Sequence, residues 1–198
     1  MLMLLDAAFD SIGLNYFQSV VPKVEQFRLE FVQTGKVTTF EDLIGSGDSE
    51  LKAIWKNQRS WDMAKAAASY LVNLKKDRNL TDKDALIFWA KHASLENWMT
   101  DPIGKIKGVG INTYQYLRMM GGVDTVMPDK IVKRVIGEIL AKANMPMPPH
   151  DIEFVLLVER ISPEVGYKAI ELCWMTWLIQ SEAGLSRVEK YADLLPMI

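Results

Sequence analysis

Apolar residues recur at intervals of three and four along most of the chain. Trp61, Ala64, Ala68, Leu71 and Leu74 form one such stripe, and Ile131, Val132, Val135, Ile136, Ile139 and Leu140 another. This spacing places side chains on one face of a helix with 3.6 residues per turn. No alternating Val/Ile/Thr run and no Asn-Gly or Asp-Gly pair offers a strand or hairpin signal. The pattern therefore predicts an all-α chain of about nine to eleven mostly short helices. Helix starts are also written in polar residues. Thr38-Thr39-Phe40-Glu41, Thr81-Asp82-Lys83-Asp84 and Ser186-Arg187-Val188-Glu189 fit capping boxes, in which side chains satisfy the free N–H groups of a first turn. Ser162-Pro163-Glu164 reads as a further start, with an N-cap, a proline in first helical position and an acid facing the dipole. Two breaks stand out: the loop Gly45-Ser46-Gly47-Asp48-Ser49, and the stiffer Met145-Pro146-Met147-Pro148-Pro149, which divides the central helices from a closing C-terminal pair.

Composition narrows the class. With 198 residues, 49% hydrophobic and 24% charged, the chain has the make-up of a globular domain with one or two small cores. No apolar run approaches the ~20 residues of a membrane span. The apolar start Met1–Leu5 has no basic flank and is interrupted by Asp6 and Asp10, so it does not read as a signal peptide. A single cysteine, Cys173, excludes an internal disulfide and any four-cysteine metal or iron–sulfur site, and His92 and His150 lie far from it and from each other. The expectation is a cytoplasmic, metal-free monomer. The six tryptophans and eleven methionines mostly fall among other apolar residues and read as core.

The net charge of −2 argues mildly against a nucleic-acid partner, but its distribution argues the other way. Residues 103–142 hold seven basic residues against three acidic ones, a local +4 on a chain otherwise at −6. That asymmetry suggests one basic face on an acidic body. Within this stretch, Lys107-Gly108-Val109-Gly110 forms a turn between a short helix ending near Ile106 and an amphipathic one starting near Ile111, where Ile111, Tyr114 and Leu117 share a face. Two glycines let the backbone turn sharply and come close to another chain. The free N–H groups of the next helix, through Asn112 and Thr113, then offer a phosphate site that Lys105 and Lys107 reinforce. A Rossmann reading fails, since no strand precedes the glycines and Thr113 occupies the third glycine position; no Walker sequence is present.

Nineteen residues beyond Gly110 the chain reaches Met127-Pro128-Asp129-Lys130-Ile131-Val132-Lys133-Arg134-Val135. A Gly-Val-Gly hairpin, a helix, a short loop and then Asp-x-x-Val-x-Arg-Val resembles the helix-hairpin-helix DNA glycosylase superfamily of base-excision repair, over residues 103–136. The resemblance implies a fold of two helical lobes around a DNA cleft, residues 37–144 forming the lobe that holds the hairpin and residues 1–36 plus 145–198 the other. It implies double-stranded DNA as partner, with Gly108, Val109 and Gly110 gripping backbone phosphates. Asp129 matches the family's catalytic aspartate, and Arg134 and Val135 the residues after it; Lys130 adds a cation beside the cleft. Base excision needs no cofactor, although the family's hairpin also holds a monovalent cation through its carbonyls in many members. The implied activity is hydrolytic removal of a damaged or mismatched base, the carboxylate stabilising positive charge on the sugar and orienting a water while the base sits out of the stack.

Three departures qualify the match. Asn112 stands where bifunctional members carry their Schiff-base lysine, and an amide forms no imine, which argues against lyase chemistry. Asp129-Lys130-Ile131 replaces the common Asp-Thr-His, and the iron–sulfur cysteines of one branch are missing. Simpler roles stand beside the functional ones. Asp129 precedes a helix and is an ordinary N-cap there, worth ~1 kcal/mol, a role compatible with catalysis. Asp124, only fourteen residues after Gly110, reads as a loop residue. Arg134 could pair inside the fold, Lys142 sits on a solvated face, His92 and His150 are surface or capping residues, and Cys173 is a small buried hydrophobe. A non-catalytic DNA binder and a helical interaction module remain alternative classes.

Overall fold

A computed structural model describes residues 1–180 and 188–198, and of Gln180 the backbone alone. Ten α-helices are present among these residues and no strand, as the periodicity predicts. The helices are α1 (Leu2–Asp10), α2 (Val21–Phe27), α3 (Phe40–Gly45), α4 (Asp48–Ile54), α5 (Gln58–Arg78), α6 (Asp82–His92), α7 (Ile111–Met120), α8 (Lys130–Lys142), α9 (Asp151–Glu164) and α10 (Ala169–Gln180). None of the described helices is long and apolar enough to cross a membrane.

The longest helix, α5, is the axis on which α1, α3 and α6 pack. Its inner face carries Trp61, Ala64, Ala67, Ala68 and Leu71, all buried, and the alanines leave room for close approach. Asn57 caps its start by accepting from the Ser60 N–H, and Asn79 ends it in the left-handed conformation at φ 53°. Around Trp61 an aromatic cluster fills the core: Phe9 stacks on Trp55 with centroids 4.5 Å apart and meets Trp61 edge-on at 5.0 Å. The Trp61 indole N–H donates to the Trp55 carbonyl at 2.7 Å, so this ring is buried without an unpaired donor. Of the other tryptophans, Trp89 is buried and Trp98, Trp174 and Trp177 are half-buried; Met99, Met145, Met147 and Met197 depart from the core reading and are exposed.

Polar residues set the helix ends, with some shifts from the expected register. The first capping box is centred one residue later than the sequence suggests: Thr39, not Thr38, is the N-cap, and Asp42 rather than Glu41 completes it. Glu41 instead joins Asp82 in clamping the Lys75 ammonium at 2.9 and 2.7 Å, while Asp82 also accepts from the Phe40 N–H, tying the starts of α3 and α6 to the end of α5. Thr81 caps α6 as expected. The start expected at Ser162-Pro163 is a helix end, because Pro163 sits in the last turn of α9. Proline lacks the N–H that would reach the Glu159 carbonyl, and the Ser162 hydroxyl donates to that carbonyl at 3.3 Å in its place. The capping box at Ser186 lies outside the described residues. Both expected breaks are loops, although the first is short: α3 ends at Gly45 and α4 begins at Asp48.

The two chain ends meet. Tyr16 lies edge-on to Trp177 at 5.5 Å and to Trp174 at 6.1 Å, and Phe17 joins Leu178, Leu195 and Ile198 around a shared apolar pocket. Helix α1 also packs on α7, and α10 on α8 and α9, so that one continuous apolar cluster links the ends to the central helices. A π-helical turn, Tyr16–Val20, precedes α2 and orients Tyr16 toward the interior.

Candidate nucleic-acid interface and active site

The hairpin is built on turns rather than on two helices. The helix expected to end near Ile106 is absent: residues 96–106 form successive turns, closed by bonds such as Lys105 N–H to Asp101 O and Ile106 N–H to Ile103 O. The Asp101 carboxylate accepts from the Ile103 N–H, capping the turn that follows, and from the Trp89 indole N–H, tying that turn to α6, while Gly104 lies against the Trp98 carbonyl where no Cβ would fit. Gly108 adopts φ +107°, a conformation L side chains rarely take, and its α-carbon faces the Arg59 side chain. Gly110 differs, for its φ is an ordinary −104° and a Cβ there would meet nothing within 4 Å. No internal constraint demands glycine at 110, so the vacant space lies toward solvent. Gly110 is also the N-cap of α7 and brings no capping side chain.

Around this helix start, Lys105, Lys107, Asn112 and the sequence-unremarked Arg59 are exposed. Val109 is half-buried and packs on the core. Thr113 departs from the expectation: its side chain is 7% exposed, which leaves only its backbone N–H to offer. The basic face is smaller than the residue count suggests. Lys133 pairs with Asp151 at 2.7 Å, and Arg118 is half-buried, donating to Gln115. Lys130 and Arg134 are exposed on α8.

The loop from α7 to α8 delivers Asp129. Gln115, wholly buried, donates to the Thr125 hydroxyl at 2.6 Å and to the Val126 carbonyl, and Thr125 donates on to Glu159 of α9. Asp124 accepts from the Ile170 N–H and so caps the start of α10, a role more definite than a plain loop residue. Asp129 then caps α8, its Oδ1 accepting from the Val132 N–H at 2.6 Å. It is half-buried, and burial holds its carboxyl above the ordinary value; the N–H groups of Val132 and Ile131, the Trp177 indole and the Lys133 charge oppose that rise.

Beside Asp129 lies a cavity of about 10 Å³ walled by Asp10, Tyr16, Tyr116, Cys173, Trp174 and Trp177. The Asp129 charge reaches both Asp10 and Cys173, helping to raise each, though burial is the larger cause. Asp10 is half-buried, and burial together with Asp6 and Asp129 pushes its carboxyl up to about 7. No group among the described residues donates a hydrogen bond to that carboxyl. The buried Trp177 indole N–H faces the Asp129 carboxylate without closing an ordinary hydrogen bond to it. Behind the cavity, Asp6 is wholly buried; Tyr116 and Tyr16 donate their hydroxyls to its Oδ2 at 2.6 and 3.2 Å, and its Oδ1 is unpartnered. Burial pushes Asp6 up to about 7.

None of Asp6, Asp10, Tyr16 and Tyr116 figured among the sequence candidates. The available signal was a pair of acids four residues apart in an otherwise apolar helix, which shares one face. His92 stacks on Phe88 and bonds its carbonyl at the end of α6, and His150 stands at the N-cap position of α9 without capping it through its side chain. Among the described residues, no group of three His, Cys, Asp or Glu is placed to hold a metal ion. Comparison with protein-family models, with curated proteins and with solved structures finds no match to this chain.

Proposed function

We propose that this chain is a monofunctional DNA N-glycosylase of the helix-hairpin-helix type, which binds duplex DNA and removes a damaged or mismatched base by hydrolysis. The observation that carries this reading is a half-buried carboxylate, Asp129, at a helix N-terminus, whose charge reaches Asp10 and Cys173 in the wall of an aromatic-lined cavity. In the proposed step, water attacks the sugar C1′, the C1′–N bond breaks, and its electrons leave with the base. The Asp129 carboxylate faces the positive charge that develops on the sugar and takes the proton released by the water. Its bonds to the first-turn N–H groups of α8 orient it and favour its ionised form against the pull of burial. The Gly108–Gly110 turn supports the DNA half of the reading, since Gly110 combines open space with an uncapped helix start. Arg59 extends the cationic rim, and the exposed amide of Asn112 provides no amine for strand cleavage.

One observation favours a second reading, a non-catalytic helix-hairpin-helix DNA-binding protein. The cavity has room for about one water, and Asp129 is already accounted for as a helix cap. Base release from duplexes each carrying one modified or mismatched base, compared between the native chain and Asp129→Asn, separates the two. Hot alkali after incubation reveals the abasic sites. Release that falls by at least about a hundredfold in the variant is expected for this kind of electrostatic assistance. Equal release from both removes Asp129 from the mechanism, and salt-sensitive DNA binding without any release favours the binder.

A further inference from the structure

A second apolar surface shares no wall with the Asp129 cavity. Beyond α8, the segment Met145-Pro146-Met147-Pro148-Pro149 lies back along that helix, its Met147 sulfur 3.6 Å from where a Gly137 Cβ would stand. With Glu153, Leu156, Leu157 and Arg160 of α9 it lines an open groove of about 560 Å³. Met145, Met147 and Leu156 are exposed in it, and an apolar wall left in water around a preformed groove marks a contact surface. Three prolines keep the wall stiff, so docking on it orders little chain, and methionine adapts to what it meets. The charges of this face are placed symmetrically. Glu153, Leu156 and Arg160 follow one another at three and four positions and share one exposed stripe of α9. The carboxylate stands one turn before the leucine and the guanidinium one turn after it. Neither charge has an ion-pair partner among the described residues.

We propose that this face binds a second copy of the chain, in a two-fold dimer whose α9 helices cross antiparallel at Leu156. A two-fold axis near Leu156 reverses the order of the stripe in the second copy. Glu153 then meets Arg160 of the second copy, and Arg160 meets its Glu153, so a single geometry closes two charge-assisted pairs. Leu156 and the methionine–proline wall form the apolar centre, and the charges form the rim that fixes register. A parallel arrangement sets carboxylate on carboxylate and guanidinium on guanidinium, which opposes it. Any other partner has to bring the matching pattern of charge and apolar surface, whereas this chain already carries it. The patch is small, and the dimer is expected to be reversible, with a dissociation constant on the order of micromolar. The proposal departs from the monomer that the sequence suggests, and it does not rest on the glycosylase reading.

Sedimentation of the full chain at low salt, without DNA, tests it. The average mass should climb from one chain towards two between about 1 and about 100 µM. Glu153→Arg and Arg160→Glu each set like charges against one another across the axis, and each should weaken association at least about tenfold. An equal mixture of the two variants should associate again, and so should the double variant, because opposite charges then face each other. Both positions are exposed, so thermal unfolding should stay close to native in every case. Should a charge variant fail to fold, Leu156→Lys carries the test: it places two cations at the axis and should abolish the dimer, and unchanged association overturns the proposal. A native mass that stays at one chain throughout overturns it too, and leaves the groove to a partner other than this chain. So does association that the single changes do not move, or a loss that neither the mixture nor the double variant repairs.

Discussion

At the scale of single residues, the telling feature is a set of carboxyls held in surroundings that favour their neutral form. Asp6 and Asp10 both sit near 7 when folded because burial penalises their charge, against about 3.9 for a free aspartate. A carboxyl raised in the folded state contributes stability that is complete below its unfolded value and is lost as pH climbs through its folded value. The chain should therefore lose stability between about pH 4 and pH 8, by an amount on the order of a few kcal/mol from Asp6. Thermal unfolding of the native chain and of Asp6→Asn across that range checks this. The melting temperature should fall with rising pH in the native chain and fall less in the variant, and parallel curves would assign the loss to other groups. Tyr16 and Tyr116 cannot relieve the effect fully, since both donate to Oδ2 and Oδ1 stays unpartnered.

Among the elements, the turn from Gly108 to Gly110 holds two glycines, two positions apart, of which the fold asks different things. Gly108 is needed by the fold: its positive φ and its packing on Arg59 make Gly108→Ala a strained change, costing roughly 1–3 kcal/mol. Gly110 is not needed by the fold, because its φ is ordinary and its surroundings are open. Gly110→Ala should leave urea unfolding close to native while weakening duplex DNA binding through lost backbone approach. The reverse outcome, an unstable Gly110→Ala with full DNA affinity, would remove the hairpin from the interface. The sequence made the α7 start and the Asp129 cap legible, since a glycine followed by an apolar stripe and an aspartate before another are local signals. It did not reveal that residues 96–106 are turns, because the Asp101 side chain bonds the indole of Trp89, twelve positions away on α6. It misread Ser162-Pro163 for a related reason. A serine before a proline suits both a helix start and a final turn in which the serine hydroxyl replaces the missing N–H.

For the whole molecule, charge is the property on which the proposed DNA binding rests. The chain is acidic overall, yet Lys105 and Lys107 are exposed just before an uncapped helix start and Arg59 lies against Gly108, while Lys133 is committed to Asp151 and Arg118 to Gln115. Duplex affinity should thus fall steeply with salt, and replacing those three residues by alanine should lower the slope of log affinity against log salt by about one per lost phosphate contact. Fluorescence anisotropy between low and moderate salt provides the slope. A slope that does not change would place the DNA face elsewhere, and no binding at low salt would favour an interaction module.

The hydrophobic spacing and the capping residues by themselves determined the all-helical character, the places of α3, α5, α6, α7 and α8 and the core stripe of α5, because periodicity and capping act over one or two turns and are written in neighbouring residues. The Gly108–Gly110 turn and the place of Asp129 were legible on the same local terms. What surrounds Asp129 was decided only by the tertiary structure. Asp6, Asp10 and Tyr16 come from the first helix and the π turn, Tyr116 from α7, and Trp174 and Trp177 from α10, and they meet because the two chain ends pack against the central helices. Burial, which shifts the carboxyls of Asp6 and Asp10, is a property of that meeting and of no segment alone.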